Sequence, residues 1–216
     1  MASLFEFRWA VDQDGYDIEH VPARKGPSLL QTVYEHDVIR PRGGPLREYR
    51  PMDDYPDLWQ RFAACADASG VLAFVQKFGA FSSTEGVRPS EQVDENLKIA
   101  ELIRQIAAKI DAKDYVEAAA LWNERGRPRL TAGLVPTQRH GRFEFRPIPL
   151  TLRGALLLQT GEAIAHNQHW RHCRNDGCSE WFRIGDGAHT SRREFCSDRC
   201  RVAWARQHKL GRAINA

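Results

Sequence analysis

Four of the five cysteines in this 216-residue chain fall within residues 173–200, as two close pairs. The first is Cys173-Arg-Asn-Asp-Gly-Cys178 and the second is Cys196-Ser-Asp-Arg-Cys200. Thiolates four or five residues apart can turn toward one point. Two such pairs supply the four soft ligands of a tetrahedral zinc ion. A centre closed by four thiolates keeps no open position for water, so the expected Zn2+ is structural and not catalytic. Binding it would contribute on the order of 10 kcal/mol to folding a segment with few apolar residues of its own. His172, beside Cys173, and His189, in the intervening loop, are alternative ligands, but the all-cysteine set needs no substitution. Cys65 lies near Phe62 on an apolar face and reads as core packing.

Charge is unevenly distributed. The chain carries +3, and residues 167–216 hold ten Lys/Arg against five acids, a balance of +5 that leaves −2 for residues 1–166. Four thiolates and one Zn2+ together add −2, so a metal-loaded tail keeps about +3. Cys200 opens a predicted helix whose cap is Ser197 or Asp198. At about 100° per residue, Trp204 and Gln207 fall on the side of Cys200, with Ala203 and Leu210 on its flank. Arg199, Arg201, Arg206 and Lys209 take the remaining arc, and Arg192 and Arg193 lie just upstream. These six cations are candidate contacts to the phosphates of a nucleic acid, DNA foremost; a solvated helix face is the alternative reading. Nothing matches the fixed base-reading positions of the finger with two cysteines and two histidines.

The order of parts around the cysteines is informative. A knuckle with the first pair is followed by Trp181-Phe182-Arg183-Ile184, a Gly185-Asp186-Gly187 turn, a second strand over 192–195, and the second pair at the start of a helix. Knuckle, hairpin and ligand-bearing helix in that order predict a treble-clef arrangement. The stretch resembles the CGNR-type zinc finger through Cys173, Cys178, Phe182, Arg192, Arg193, Phe195, Cys196, Ser197, Cys200 and the basic helix beyond. That finger ends a family of bacterial proteins whose N-terminal domain (ABATE) is mostly helical, and which are described as stress-responsive transcription regulators. After the fourth cysteine the family reads Gly-Asn-Arg and this chain reads Arg201-Val202-Ala203, so a sister group sharing only the finger is the other relation. The resemblance implies a zinc-dependent regulator that binds DNA.

The elements that must position this finger lie upstream. Residues 3–11 alternate through Phe5, Phe7, Trp9 and Val11, as a half-buried strand does. Asp12 to Gly15 reads as a turn, and Tyr16 to Val21 as the returning strand of a hairpin. Residues 29–39 hold one or two further strands. From Asp53 the pattern turns helical. Pro56 opens a helix through Leu58, Trp59, Phe62 and Cys65, and Gly70 separates it from a second helix, 71–78, stopped by Gly79. Pro89-Ser90-Glu91 starts the best-patterned helix, through Val93, Leu97, Ala100, Ile103, Ile106 and Ile110. Asp114 caps a helix carrying Tyr115, Ala118 and Trp122. Residues 127–150 allow a strand or hairpin, and Thr151 caps an apolar helix that feeds into His169-Trp170-Arg171-His172-Cys173. The predicted fold class is α+β: residues 1–166 form a mostly helical domain with small antiparallel β elements, and residues 167–216 form a treble-clef-like zinc finger. Trp59, Phe62, Phe74, Phe78 and Trp122 read as core.

Other function classes lack support. No apolar run reaches the length of a membrane span, and the first ten residues have no signal-peptide layout. Clustered thiols are then expected in a reducing cytoplasm, as metal ligands and not disulfides. No Ser-His-Asp order, phosphate-cradling glycine loop or His-Glu-x-x-His occurs, so no enzyme is expected. His166, His169 and His172 recur every three residues and read as exposed groups at a helix end, in preference to a second metal site. The helical domain is a candidate holder of an unidentified small-molecule ligand, and no feature sets an oligomeric state. Two readings stand: a cytoplasmic transcription regulator whose finger contacts DNA, or a zinc-stapled interaction module whose finger docks through its Trp204 face.

Overall fold

A computed structural model describes residues 7–25, 32–82, 91–136, 143–178, 181–184 and 193–214. The fold is α+β, with small antiparallel sheets around a helical centre. The N-terminal third holds β1 (Trp9–Asp12), β2 (Tyr16–Val21), β3 (Arg24–Lys25), β4 (Thr32–Val33), β5 (His36–Pro41) and β6 (Leu46–Tyr49). The helices α1 (Pro51–Asp54), α2 (Leu58–Ala63) and α3 (Ala68–Phe78) follow, then the short β7 (Glu91–Gln92), α4 (Val93–Asp111) and α5 (Tyr115–Arg125). A long hairpin, β8 (Leu130–Pro136) and β9 (Phe143–Pro149), leads to α6 (Leu152–Ala165). The C-terminal part comprises β10 (His169–His172), β11 (Trp181–Ile184) and α7 (Asp198–Ile214). Among the described residues, no helix is long and apolar enough to cross a membrane.

The first strand does not return on itself. β1 pairs with β6, and β2 pairs with β5, whose other edge takes β7. A β1–β2 hairpin is therefore replaced by two nested pairings. The reason lies at Asp12, a buried carboxylate that accepts from the N–H groups of Gly43 (2.7 Å), Gly44 (3.0 Å) and Asp14 (3.0 Å). Those bonds gather the loop after β5 under the end of β1 and steer the chain into β6 at β1's side. The expected strand over 3–11 begins, within the described residues, at Trp9.

Helix boundaries follow local chemistry. Asp67 accepts from the Gly70 N–H at 2.8 Å, so α3 starts at Ala68 and Gly70 lies inside its first turn instead of separating two helices. Gly79 ends α3 at φ +88, where a Cβ would meet the Ala10 carbonyl oxygen at 2.4 Å. Asp114 and Thr151 cap α5 and α6 as their positions predict, accepting from Glu117 and Gly154. α2 is short and ends before Cys65, and α1 is an extra turn that starts at Pro51.

The core sits where α2, α3, α4 and α6 meet. Phe62, Phe74, Phe78 and Phe81 form one aromatic cluster, with ring centroids 4.7–5.5 Å apart in the contacting pairs. α6 is apolar on nearly every face, as a central helix must be, and Leu152, Ala155, Leu156 and Ala163 are fully enclosed. Its one buried amide is matched: Gln159 accepts from the Trp59 N–H (3.2 Å) and donates to the carbonyls of Pro51 (3.3 Å) and Tyr55 (2.8 Å). Arg104 on α4 likewise caps the end of α2, donating to the carbonyls of Ala63 (3.0 Å) and Cys65 (2.9 Å). The core aromatics read from sequence lie here; Trp122, partly buried, donates to the Leu157 carbonyl at 2.8 Å.

Candidate metal centre

α6 does not run straight into the knuckle. It ends at Ala165, and Asn167 takes the left-handed conformation at φ +48, which asparagine tolerates better than most residues. The chain turns there and enters β10. β10 pairs antiparallel with β11, His172 facing Trp181 and His169 facing Ile184, so the first cysteine pair occupies the tip of this hairpin. The expected hairpin after the knuckle is thus a hairpin around it: β11 takes its partner from before Cys173. Residues 193–194 are irregular, Phe195 to Ser197 bend, and the Gly185–Gly187 turn and Arg192 lie outside the described residues. The three histidines divide between the end of α6 and β10, not one helix end.

The knuckle closes on itself. The Cys178 N–H donates to the Asn175 carbonyl at 2.8 Å, a tight turn that brings Cys178 back beside the buried Cys173. The second pair comes from the start of α7. Ser197 accepts from the Cys200 N–H at 3.3 Å, which fixes Ser197 as the cap, and Cys196 stands just ahead of the helix with Cys200 in its first turn.

The four sulfurs of Cys173, Cys178, Cys196 and Cys200 all lie within 4.8 Å of one another. Cys178 Sγ is 3.7 Å from Cys196 Sγ, which is 3.5 Å from Cys200 Sγ. A tetrahedral ion with metal–sulfur bonds of about 2.3 Å needs sulfurs about 3.8 Å apart, and the Cys178–Cys196 and Cys196–Cys200 separations come near that spacing. Among the described residues it is the one group of three or more His, Cys, Asp or Glu that could hold a metal ion. His172's side chain is not described and His189 lies outside the described residues, so neither enters the set. The thiols are electronically unequal. Burial, then the hydrogen bond from its sulfur to Cys200, pushes the Cys196 thiol up to about 12. The Ser197 hydroxyl and the Cys196 thiol bring Cys200 down to about 7. Of these two, Cys200 is the readier to ionise, and Cys196 would have to give up its proton to bind a metal.

Arginines suture the second knuckle to the first. Arg171 donates to the Arg193 carbonyl (2.9 Å), and Arg174 pairs with the Glu194 carboxylate (2.6 Å) while its N–H donates to the Glu194 carbonyl (2.9 Å). Arg193 donates to the carbonyls of Phe195 (2.8 Å) and Cys196 and lies over the Phe182 ring. Arg174 also covers Trp204, which stacks on His208 at 4.0 Å and tilts against Phe195 at 5.7 Å. Among the described residues, the ring and cation partners of Trp204 belong to the finger itself; Gln207, expected inward, is exposed, as is His208, which stacks on Trp204. Arg171, Arg174 and Glu194 were not singled out from sequence. Their only signal was opposite charge placed beside both cysteine pairs.

The six candidate nucleic-acid contacts divide accordingly. Arg193 is exposed at its edge, with its guanidinium engaged by the finger backbone. Arg201 pairs with the exposed Asp198 at 3.1 Å. Arg199 and Arg206 are exposed, and among the described residues neither forms an ion pair or hydrogen bond. Lys209 lies on α7 with its side chain not described, and Arg192 is outside the described residues. The chain matches no protein-family model and no curated protein.

Proposed function

We propose that the C-terminal finger is a structural zinc module and that the protein is a cytoplasmic transcription regulator which binds nucleic acid along α7. Zinc is the metal that an all-thiolate tetrahedral set suits best in a site with no open position. The observation that carries the reading is the union of two features at one helix start: four converging thiols, and the unpaired, outward Arg199 and Arg206 on the turns that follow. Metal binding orders the first turn of α7 through Cys200 and so fixes the cations beyond it. Arg201 joins them when Asp198 yields to a phosphate. The resemblance to the CGNR-type finger points the same way.

Three guanidiniums on duplex phosphates predict that log K falls with log salt at a slope of about −3. Anisotropy titrations of the zinc-loaded chain with labelled duplex DNA across a potassium chloride series test this. Replacing Arg199 and Arg206 together with alanine is expected to bring the slope to about −1. Binding that ignores salt, or a double variant that behaves as the parent, removes the nucleic-acid part of the proposal.

A second reading is favoured by a specific observation. Arg171, Arg174 and Arg193 face the finger's own backbone and Glu194, which leaves a modest free charge. Trp170 of β10 packs against the helical core. Both features suit a zinc-stabilised clasp for protein contacts. A chain that holds zinc and binds no nucleic acid at any salt concentration selects this reading.

A further inference from the structure

The β8–β9 hairpin carries Pro136, Pro147 and Pro149, and its register puts all of them in one alternate set of facing pairs. That set is Leu130 with Pro149, Ala132 with Pro147, Leu134 with Phe145 and Pro136 with Phe143. Facing residues in an antiparallel pair alternate between those that exchange hydrogen bonds and those whose N–H and C=O point away from the partner strand. Proline has no N–H to exchange, so this set is the non-bonded one. The ladder is held by the other set: Thr131 with Ile148, Gly133 with Arg146 and Val135 with Glu144. The N–H groups of Leu130, Ala132 and Leu134 therefore point out of the hairpin, along the outer edge of β8.

The two outer edges differ. The outward backbone nitrogens of β9 include those of Pro147 and Pro149, which carry no hydrogen, and the strand packs beside α6. Among the described residues, β8 has β9 as its one strand neighbour, and its outward N–H groups have no hydrogen-bond partner. Sheet edges in native proteins are ordinarily guarded by a charge, a bulge, a proline or a covering element. From Leu130 to Leu134 the strand reads Leu-Thr-Ala-Gly-Leu, pairs with β9 without a bulge, and exposes Leu130, Thr131, Ala132 and Leu134. Leu134 is 56% exposed and the facing Phe145 71%. Glu144 and Arg146 pair with each other at 2.7 Å and alternate with Phe145 onto the opposite face, so the apolar face carries no charge.

We infer that the outer edge of β8 docks a second copy of this chain, the two β8 strands pairing antiparallel about a two-fold axis into a sheet of order β9-β8-β8-β9. A copy of β8 suits this edge in three respects. With Ala132 at the axis, Leu130 of each chain faces Leu134 of the other, so every outward donor meets a carbonyl and Pro136 stays outside the bonded pairs. No charged side chain lies between Leu130 and Pro136, so identical strands meet without like-charge repulsion. The pairing consumes both β8 edges and leaves the proline-bearing β9 edges outside, so assembly closes at two copies and does not grow into a fibre. One strand edge is smaller than a standard interface, so the dimer is weak, with Kd about 10–100 μM. The inference does not depend on nucleic-acid binding.

The test is analytical ultracentrifugation of the full chain across the micromolar range, with a reductant present so that no disulfide joins two copies. A monomer–dimer equilibrium without larger species is expected. Ala132→Pro removes an outward donor and leaves the hairpin's own ladder intact, and it is expected to weaken the dimer about tenfold or more. Leu134→Lys alters a side chain that is already exposed and guards the edge with a charge; it is expected to weaken the dimer to a similar extent. Phe145→Ser, on the strand away from the axis, is expected to leave the Kd within about twofold. Amide exchange followed by NMR is expected to slow at Leu130, Ala132 and Leu134 as concentration rises, and not at Phe145. A chain that stays monomeric throughout, or one that grows into open-ended species, overturns the inference. So does a dimer that survives both β8 variants, or one lost in Phe145→Ser alone, which would place the contact on the hairpin's face and not its edge.

Discussion

Cys65 carries the same side chain as the four clustered cysteines and meets opposite surroundings. It is 6% exposed, its thiol donates to the Gly70 carbonyl at 3.4 Å, and burial pushes it up to about 11. Because the folded value lies above the ordinary 9.0, the unfolded chain loses its proton first as pH rises. The stability this thiol contributes is therefore complete below about pH 9 and lost as pH rises toward 11. At pH 8, iodoacetamide on the chelator-treated native chain is expected to modify four cysteines and spare Cys65, with the fifth reacting only in urea. Mass-spectrometric counting checks this, and native modification of Cys65 at the rate of the others would contradict its assignment to the core. The arginines show the same dependence on setting. Arg193 is bound to the carbonyls of Phe195 and Cys196, whereas Arg199, six residues on, faces solvent. Sequence alone gives both the same weight as cations beside the second cysteine pair, and only the three-dimensional course of residues 193–197 separates them.

Among the elements, helices were far more legible in the sequence than strand pairings. α4 announces itself by apolar residues at helical spacing from Val93 to Ile110, and Asp114 and Thr151 cap where their side chains predict. The strands were recognisable as strands, but their partners depend on contacts distant in sequence. Asp12 reaching Gly43 and Gly44 decides that β1 lies beside β6, and no local pattern encodes a bond across thirty-one residues. The finger behaves likewise: the four cysteines that converge were readable from spacing alone, while the strand opposite β11 turned out to precede Cys173. Gly79 tests the packing of these elements. Gly79→Ala introduces both a strained left-handed φ and a clash with the Ala10 carbonyl, so it is expected to cost about 2–3 kcal/mol in urea unfolding. A cost below about 0.5 kcal/mol would show that α3 and β1 approach less closely than described.

Across the whole molecule, two kinds of stabilisation meet at one seam. The helical part buries its own apolar core, with Trp59, Phe62, Phe81 and Leu156 almost wholly enclosed. The C-terminal part has little of that kind: Cys173 and Phe182 are its buried apolar groups among the described residues. Among the described residues, arginine–carbonyl bonds, a Trp204 stack and four converging thiols hold it instead, and a metal bound by those thiols would add a contribution on the order of 10 kcal/mol to ordering so polar a segment. On the proposed function, α7 and its outward arginines would depend on that centre for their position. The central claim is accordingly that Cys173, Cys178, Cys196 and Cys200 together hold one zinc ion. X-ray absorption at the zinc edge, on full-length chain purified with its metal, measures this directly. The account predicts one zinc per chain with four sulfur neighbours at about 2.3 Å and no nitrogen or oxygen in the first coordination sphere. A chain without zinc, or a centre of three sulfurs and one nitrogen, would contradict it.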